Sequence, residues 1–149
     1  MVRMVEQVAM PALLRLARST YGTAMRYALA EAGFDDIPRN GLYVIGGVAL
    51  RAGDVPLAQL INELRTSKQA AGLLVDTLVT RGYLERAADK NDRRKMIVAL
   101  TERGKAAAAV QAAACKKIDD ALVAEVGQDG LARTRRTLMA LIDLGTHGE

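Results

Sequence analysis

Residues 88–94 read Ala-Asp-Lys-Asn-Asp-Arg-Arg, between one short segment of β-branched or alternating apolar residues at 83–87 and another at 95–100. A charged loop joining two such segments is a β-hairpin with an exposed tip. An arginine on that tip can enter a narrow DNA minor groove, where the negative potential is strongest, while Asp92 holds a second arginine by a charge-assisted pair. Of Arg93 and Arg94, one would then read and the other brace; the alternative is that both brace the loop. Lys90 and Lys95 suit phosphates better than bases, because a flexible ammonium gives little directional readout.

A second group lies upstream. Thr66-Ser67-Lys68-Gln69 has the pattern of a capping box, in which the Thr hydroxyl caps the third amide and Gln reaches back. A helix starting near Thr66 or Ser67 would turn Ala71, Leu74, Val75 and Leu78 inward and carry Lys68, Gln69, Gly72, Leu73 and Asp76 outward. Lys68 can meet guanine, and Gln69 can bind adenine unless the cap occupies it. Leu73 can touch thymine methyls or cover the neighbouring hairpin. Ser67 can donate to a phosphate at the helix N-terminus, where free amides and the dipole favour an anion. Arg65 either reaches a phosphate or is a solvated turn residue.

Other chemistry finds little support. The only histidine, His147, lies two residues from the C-terminus, and the only thiol, Cys115, sits in an alanine-rich helix. A nucleophile and base from that pair would need the tail to fold back onto the helix. No metal-ligand spacing, phosphate loop or dinucleotide fingerprint is present, so neither an enzyme nor a cofactor is expected. Cys115 reads as a small apolar interface residue before a redox sensor. Asp35-Asp36 and Asp119-Asp120 read as solvated loop or helix-face acids before acid–base dyads.

Composition agrees with a binder of polyanions. The net charge of +4 is uneven: residues 65–105 hold ten Lys or Arg against five Asp or Glu, which is +5 and leaves −1 for the rest. Such local basicity is the footprint of a surface that meets phosphates. The longest run without a charge, residues 40–50, is far below a membrane span, no signal-peptide core is visible and one cysteine forms no internal disulfide. A cytoplasmic protein is expected. Half the residues are apolar and only five are aromatic, so the core falls to Leu, Val, Ile, Met and Ala, which suits helix packing.

The positioning elements follow from periodicity. A helix over about residues 5–32 places Leu14, Ala17, Tyr21, Ala24 or Met25, and Ala28 on one face, and Gly33 ends it. Pro38 opens a second, with Leu42, Ile45, Val48 and Ala49 inward and a Gly46-Gly47 pair that either packs closely on another helix or marks a kink. Pro56 opens a third, with Leu57, Leu60, Ile61 and Leu64 buried. The helix from residue 66 or 67 stops at Gly82. After the hairpin, Thr101 caps a helix reaching about residue 126, glycines punctuate residues 127–130, and a final helix follows.

The ordered set, a helix-turn-helix followed by Asp92-Arg93-Arg94-Lys95-Met96-Ile97-Val98-Ala99-Leu100-Thr101, fits the pattern Asp-x-Arg, five residues, Leu-Thr. It resembles the multiple-antibiotic-resistance-regulator (MarR) family of bacterial transcription factors, by motif over residues 38–105 and by helix order over the whole chain. The resemblance implies a mainly α fold with a small β-hairpin wing. It implies one domain, with a winged helix-turn-helix lobe at 36–101 and dimerisation helices at 1–35 and 102–149. It also implies a homodimer on double-stranded promoter DNA, a recognition helix in the major groove and a wing in the minor groove. Repression relieved by a small-molecule effector is a further implication. Tyr21, Met25 and Tyr43 are candidate effector-pocket residues, or plain core. The chain departs from the family where members often show Ser or Thr and then Arg on the recognition helix: here stand Ala70, Gly72 and Leu73. Arg65 replaces a frequent turn glycine. Readout should therefore lean on A·T-rich shape and apolar contact. The alternative is a winged-helix protein-interaction module without specific DNA binding.

Overall fold

The computed structural model describes residues 6–51, 54–64 and 66–146. Among these, five helices and three short strands follow the order α1 (Met10–Glu31), α2 (Gly41–Leu50), β1 (Val55–Pro56), α3 (Leu57–Glu63), α4 (Lys68–Thr80), β2 (Leu84–Ala88), β3 (Met96–Leu100) and α5 (Glu102–Thr146). The chain divides into two compact units, Met1–Ala114 and Cys115–Glu149.

In the first unit the core is mainly aliphatic, as the scarcity of aromatics requires, with Tyr83 its largest fully buried side chain among the described residues. Leu42, Val44, Ile45 and Val48 of α2 are buried, with Ala71, Val75 and Leu78 of α4 and Val55 and Val98 of the sheet. The inward stripe of α4 is the expected one, with Leu74 half-buried at its edge. On α1 the stripe is shifted: Gly22, Met25 and Leu29 are buried, while Ala17 is exposed. Ala49 of α2 is likewise exposed, and α2 starts at Gly41 after Asn40 rather than at Pro38.

Gly46 and Gly47 lie inside an unbroken α2, and a methyl group added to either would meet no atom within 4 Å. Among the described residues, neither close packing nor a kink accounts for them.

The expected two-stranded hairpin is the larger part of a three-stranded antiparallel sheet, ordered β1-β3-β2. Val55 pairs with Val98 and Pro56 with Ile97, so the two residues before α3 fasten that helix to the wing. Two residues are too few to show an alternating pattern, which is why periodicity misses β1. Pro56 is tolerated there because the strand lies at the sheet edge.

Gly82 takes φ 83° and turns the chain from α4 into β2, as the stop signal required. Thr101 then caps α5: its Oγ1 accepts from the Gly104 amide at 3.0 Å and donates to the Gly82 carbonyl oxygen. The first turn of α5 presses on the turn between α4 and β2, and a Cβ on Gly104 would stand 2.0 Å from the Tyr83 carbonyl oxygen.

Gln111 is buried on α5. Its Nε2 donates to the Leu42 carbonyl at 2.8 Å and lies 3.9 Å from Met25 Sδ, which joins α5 to α2 and α1.

In the second unit the helix is interrupted at Gly127, whose φ of 78° and ψ of 167° are non-helical. Residues 128–130, expected to punctuate the chain as well, are helical. Val126, Met139, Leu141, Ile142 and Leu144 are all exposed.

Candidate nucleic-acid interface

The N-terminus of α4 is capped one residue later than the sequence pattern suggests. Ser67 is the N-cap, and its Oγ accepts from the Ala70 amide at 3.1 Å. With Ala70 as the third helical residue there is no side chain to close a capping box, so the expected Thr66–Gln69 box is not formed. Gln69 is thereby released: among the described residues its side chain has no hydrogen-bond partner, and it stands exposed on the first turn.

Lys68, Gln69, Leu73 and Asp76 of α4 are exposed, and Gly72 between them is half-buried with open space where a side chain would be. Thr66 is exposed just ahead of the cap. Arg65 and His147 lie outside the described residues.

The wing loop is a small, closed structure. The Asp89 amide donates to the Lys95 carbonyl and the Lys95 amide to the Asp92 carbonyl, both at 2.9 Å. Two aspartates turn the chain inside it: Asp89 Oδ1 accepts from the Asn91 amide at 2.8 Å, and Asp92 Oδ1 from the Arg94 amide at 3.1 Å. These are Asx turns, in which a short carboxylate replaces a backbone partner two residues on. Asp92 therefore works first on the backbone. Its contact with the Arg94 guanidinium, Nε at 3.5 Å, is longer than a hydrogen bond, and the Arg94 side chain is 94% exposed. Arg93 is exposed and has no ion pair among the described residues, and Lys90 and Lys95 are exposed beside it.

Two polar groupings were not foreseen. Arg86 of β2 forms an ion pair with Asp76 of α4, tying the outward row of that helix to the edge of the sheet. Asp36, read as solvated, instead sits at the centre of a cluster. Its Oδ1 accepts from the Tyr83 hydroxyl and from Arg103 Nη2 at 3.0 Å, and its carbonyl accepts from Arg81.

Phe34 meets Tyr83 edge-on at 6.1 Å, and the Arg103 guanidinium lies 4.6 Å from the Tyr83 ring centre. The Tyr83 phenol holds the Asp36 carboxyl below its usual range against an opposing push from burial, with Arg103 adding to the lowering. Burial, with Asp36 beside it, pushes the Tyr83 phenol up. Adjacent acids in a loop give no hint of this, because their partners stand 47 and 67 positions away.

Of the three candidate effector residues, Tyr43 lines a cleft of about 500 Å³ with Arg18, Leu64, Thr66, Leu73 and Thr77. The Arg18 guanidinium stacks 4.0 Å from the Tyr43 ring centre. Met25 is in the core against Gln111, and Tyr21 is half-buried on α1; neither lines the cleft.

Cys115 is half-buried, and burial followed by the Asp119 charge pushes its thiol up, away from the reactive thiolate form. Among the described residues no group of three His, Cys, Asp or Glu could hold a metal, and no helix is long and apolar enough to cross a membrane.

A short helix, a capped second helix and a strand-loop-strand closing on a third strand define a winged helix-turn-helix. Residues 35–95 match the model of the MarR family, and this stretch belongs to that family. No curated protein sequence matches the chain.

Solved structures show the same fold. Streptococcus pneumoniae FabT in complex with DNA is 18% identical, with all of both chains covered and a TM-score of 0.76. A mutant of MepR from a multidrug-resistant S. aureus clinical isolate is 14% identical over 91% of this chain and 96% of the other, with a TM-score of 0.74. A mutant E. coli MarR complexed with operator DNA is 20% identical over 91% of this chain and 95% of the other, at 0.69.

Proposed function

We propose that the protein is a transcriptional regulator that binds double-stranded promoter DNA sequence-specifically as a homodimer and represses until a small-molecule effector releases it. The observation that carries this reading is the wing. A loop closed by two Asx turns carries Arg93 exposed and unpaired among the described residues, on the hairpin whose β2 strand packs against α4. A guanidinium held on a short rigid loop is suited to a narrow minor groove.

The lobe of residues 36–101 is then the DNA reader. Ser67, Thr66, Lys68 and Arg65 meet phosphates or base edges at the start of α4, with Gln69 on adenine and Gly72 and Leu73 toward the groove floor. Lys90, Arg94 and Lys95 meet the backbone flanking Arg93. The released Gln69 side chain supports this assignment, and the similarity in fold to proteins solved with DNA supports it further.

Residues 1–35 and 102–149 supply the dimer contacts. Exposed apolar side chains on each segment support this: Met10 and Leu16 on α1, Met139, Ile142 and Leu144 near the end of α5. Two recognition helices in such a dimer meet half-sites one helical turn apart on a pseudo-palindrome. The cleft beside Tyr43, bordered by Thr66 and Leu73 at the reading helix, is where an effector would compete with the DNA-bound arrangement.

The deciding experiment is selection from a random duplex pool, followed by fluorescence-anisotropy titration at several salt concentrations. A pseudo-palindromic consensus is expected, with a log-log salt slope near −5 for about six phosphate contacts. No retention on DNA or heparin and no salt dependence would favour a protein-interaction module.

A further inference from the structure

Asp76 is the one acidic residue on α4, where the only other charge is Lys68 at the first turn. It stands on the outward row: at 100° per residue it falls between Gln69 and Gly72, opposite buried Ala71, Val75 and Leu78. A carboxylate there faces two penalties. It approaches phosphates, and it lies toward the negative end of the helix dipole.

Arg86 offsets both. Its guanidinium engages Asp76 Oδ1, and its backbone sits on β2 opposite Val98, so its stem is anchored on the sheet. The Asp76 side chain remains 56% exposed and Arg86 only 33%. The pair thus turns the acid outward and keeps the base behind it. No other hydrogen bond or ion pair of Asp76 exists among the described residues, which leaves Oδ2 as an acceptor without a charge penalty.

We infer that Asp76, neutralised and oriented by Arg86, is a specificity-determining residue that accepts a hydrogen bond from the exocyclic amino group of a cytosine in the major groove. The chemistry selects that base. Only cytosine N4 and adenine N6 present amino donors there; adenine N6 is flanked by acceptors on both sides, its own N7 and thymine O4, whereas cytosine N4 has guanine O6 on one side only, so a carboxylate is repelled less at cytosine. Neither guanine nor thymine offers a major-groove amino group. Arg86 is a positioning residue, since it acts through Asp76. The inference rests on the DNA-reading function proposed above and assigns one base contact within it.

The test is parallel site selection and anisotropy titration with wild type, Asp76→Asn, Asp76→Ala and Arg86→Gln, each checked for an unchanged circular-dichroism spectrum. For wild type, replacing one C·G pair per half-site by T·A should weaken binding about tenfold. That ratio should fall to near one in Asp76→Ala. In Asp76→Asn the preference should move toward adenine, because an amide both donates and accepts.

Arg86→Gln should weaken binding overall and also lower the C·G-to-T·A ratio, since the carboxylate loses both its shield and its orientation; an equal loss on selected and scrambled duplexes would mean that Arg86 does not position Asp76. If Asp76→Ala and Asp76→Asn lower affinity uniformly, or leave every base preference unchanged, the pair is only a structural tie and the inference is overturned while DNA reading stands. If wild type selects no sequence at all, the DNA-reading function itself fails.

Discussion

The side-chain amide of Gln111 on α5 donates to the Leu42 carbonyl on α2, 69 positions earlier, and does so from a buried site. The other end of the amide, Oε1, is buried without a hydrogen-bond partner among the described residues. A hydrogen bond is gained at the cost of one stranded acceptor, so the net contribution of this polar group is small. Gln111→Leu should change stability by less than about 1 kcal/mol, whereas Gln111→Glu, which risks a buried charge, should cost roughly 3 kcal/mol or more. Urea unfolding of both variants checks the contrast; equal losses would mean that shape, and not polarity, governs the site.

The Asp36–Tyr83–Arg103 cluster has a pH signature. The Asp36 carboxyl is held below its usual 3.8, so its folded pKa is lower than its unfolded one. A depressed carboxylate contributes stability that is fully present above the unfolded value and is lost as pH falls through the folded value. Melting temperature should therefore be insensitive to this group between pH 7 and 5 and fall with acid below about 4. Tyr83→Phe removes the first cause of the shift. It should lower stability by about 1–2 kcal/mol at pH 7 and flatten the acid limb, as measured by thermal melts across pH.

The two wing arginines should separate. Arg93 is unpaired among the described residues, while Arg94 has its amide, and more loosely its guanidinium, on Asp92. Arg93→Ala should weaken operator binding by roughly 1–3 kcal/mol and relax preference at the adjoining minor-groove positions. Arg94→Ala should cost less. Asp92→Ala, which opens the loop turn, should reduce affinity through the placement of Arg93. Gel-shift titration of the three variants would expose the opposite order.

Glycines in this chain divide by what surrounds them. Gly46→Ala and Gly47→Ala fill open space inside α2 and should each stabilise the monomer fold by about 0.5–1 kcal/mol. Gly104→Ala would force a methyl group against the Tyr83 carbonyl and should cost about 1–3 kcal/mol or more. Chemical denaturation distinguishes them by sign.

What the sequence made legible follows from the range of the forces involved. The stripe of Ala71, Val75 and Leu78, the stop at Gly82 and the cap at Thr101 are local, and they appear where periodicity and capping chemistry placed them. Ser67 and Thr66 are both good caps; the chain uses Ser67, which puts Ala70 where a capping box needs Glu or Gln, so the box read at Thr66–Gln69 does not form. Val55–Pro56 joins the sheet only because β3 is already in position. Arg86 finds Asp76, and Asp36 finds Tyr83 and Arg103, through the tertiary fold, and no spacing rule reaches that far. The wing motif was visible because a hairpin keeps its chemistry contiguous.

The closed loop of residues 89–95 has one more consequence. Its tip strings Arg93, Arg94 and Lys95 together on an exposed turn, the residue types that trypsin cleaves after, in the kind of segment where nicking is most readily tolerated. Free protein treated with trypsin should be cut there early, giving fragments that break near residue 94. Protein with that loop seated in a duplex should survive, so the wing is a built-in occupancy reporter that needs no label, and adding an effector should restore the cut.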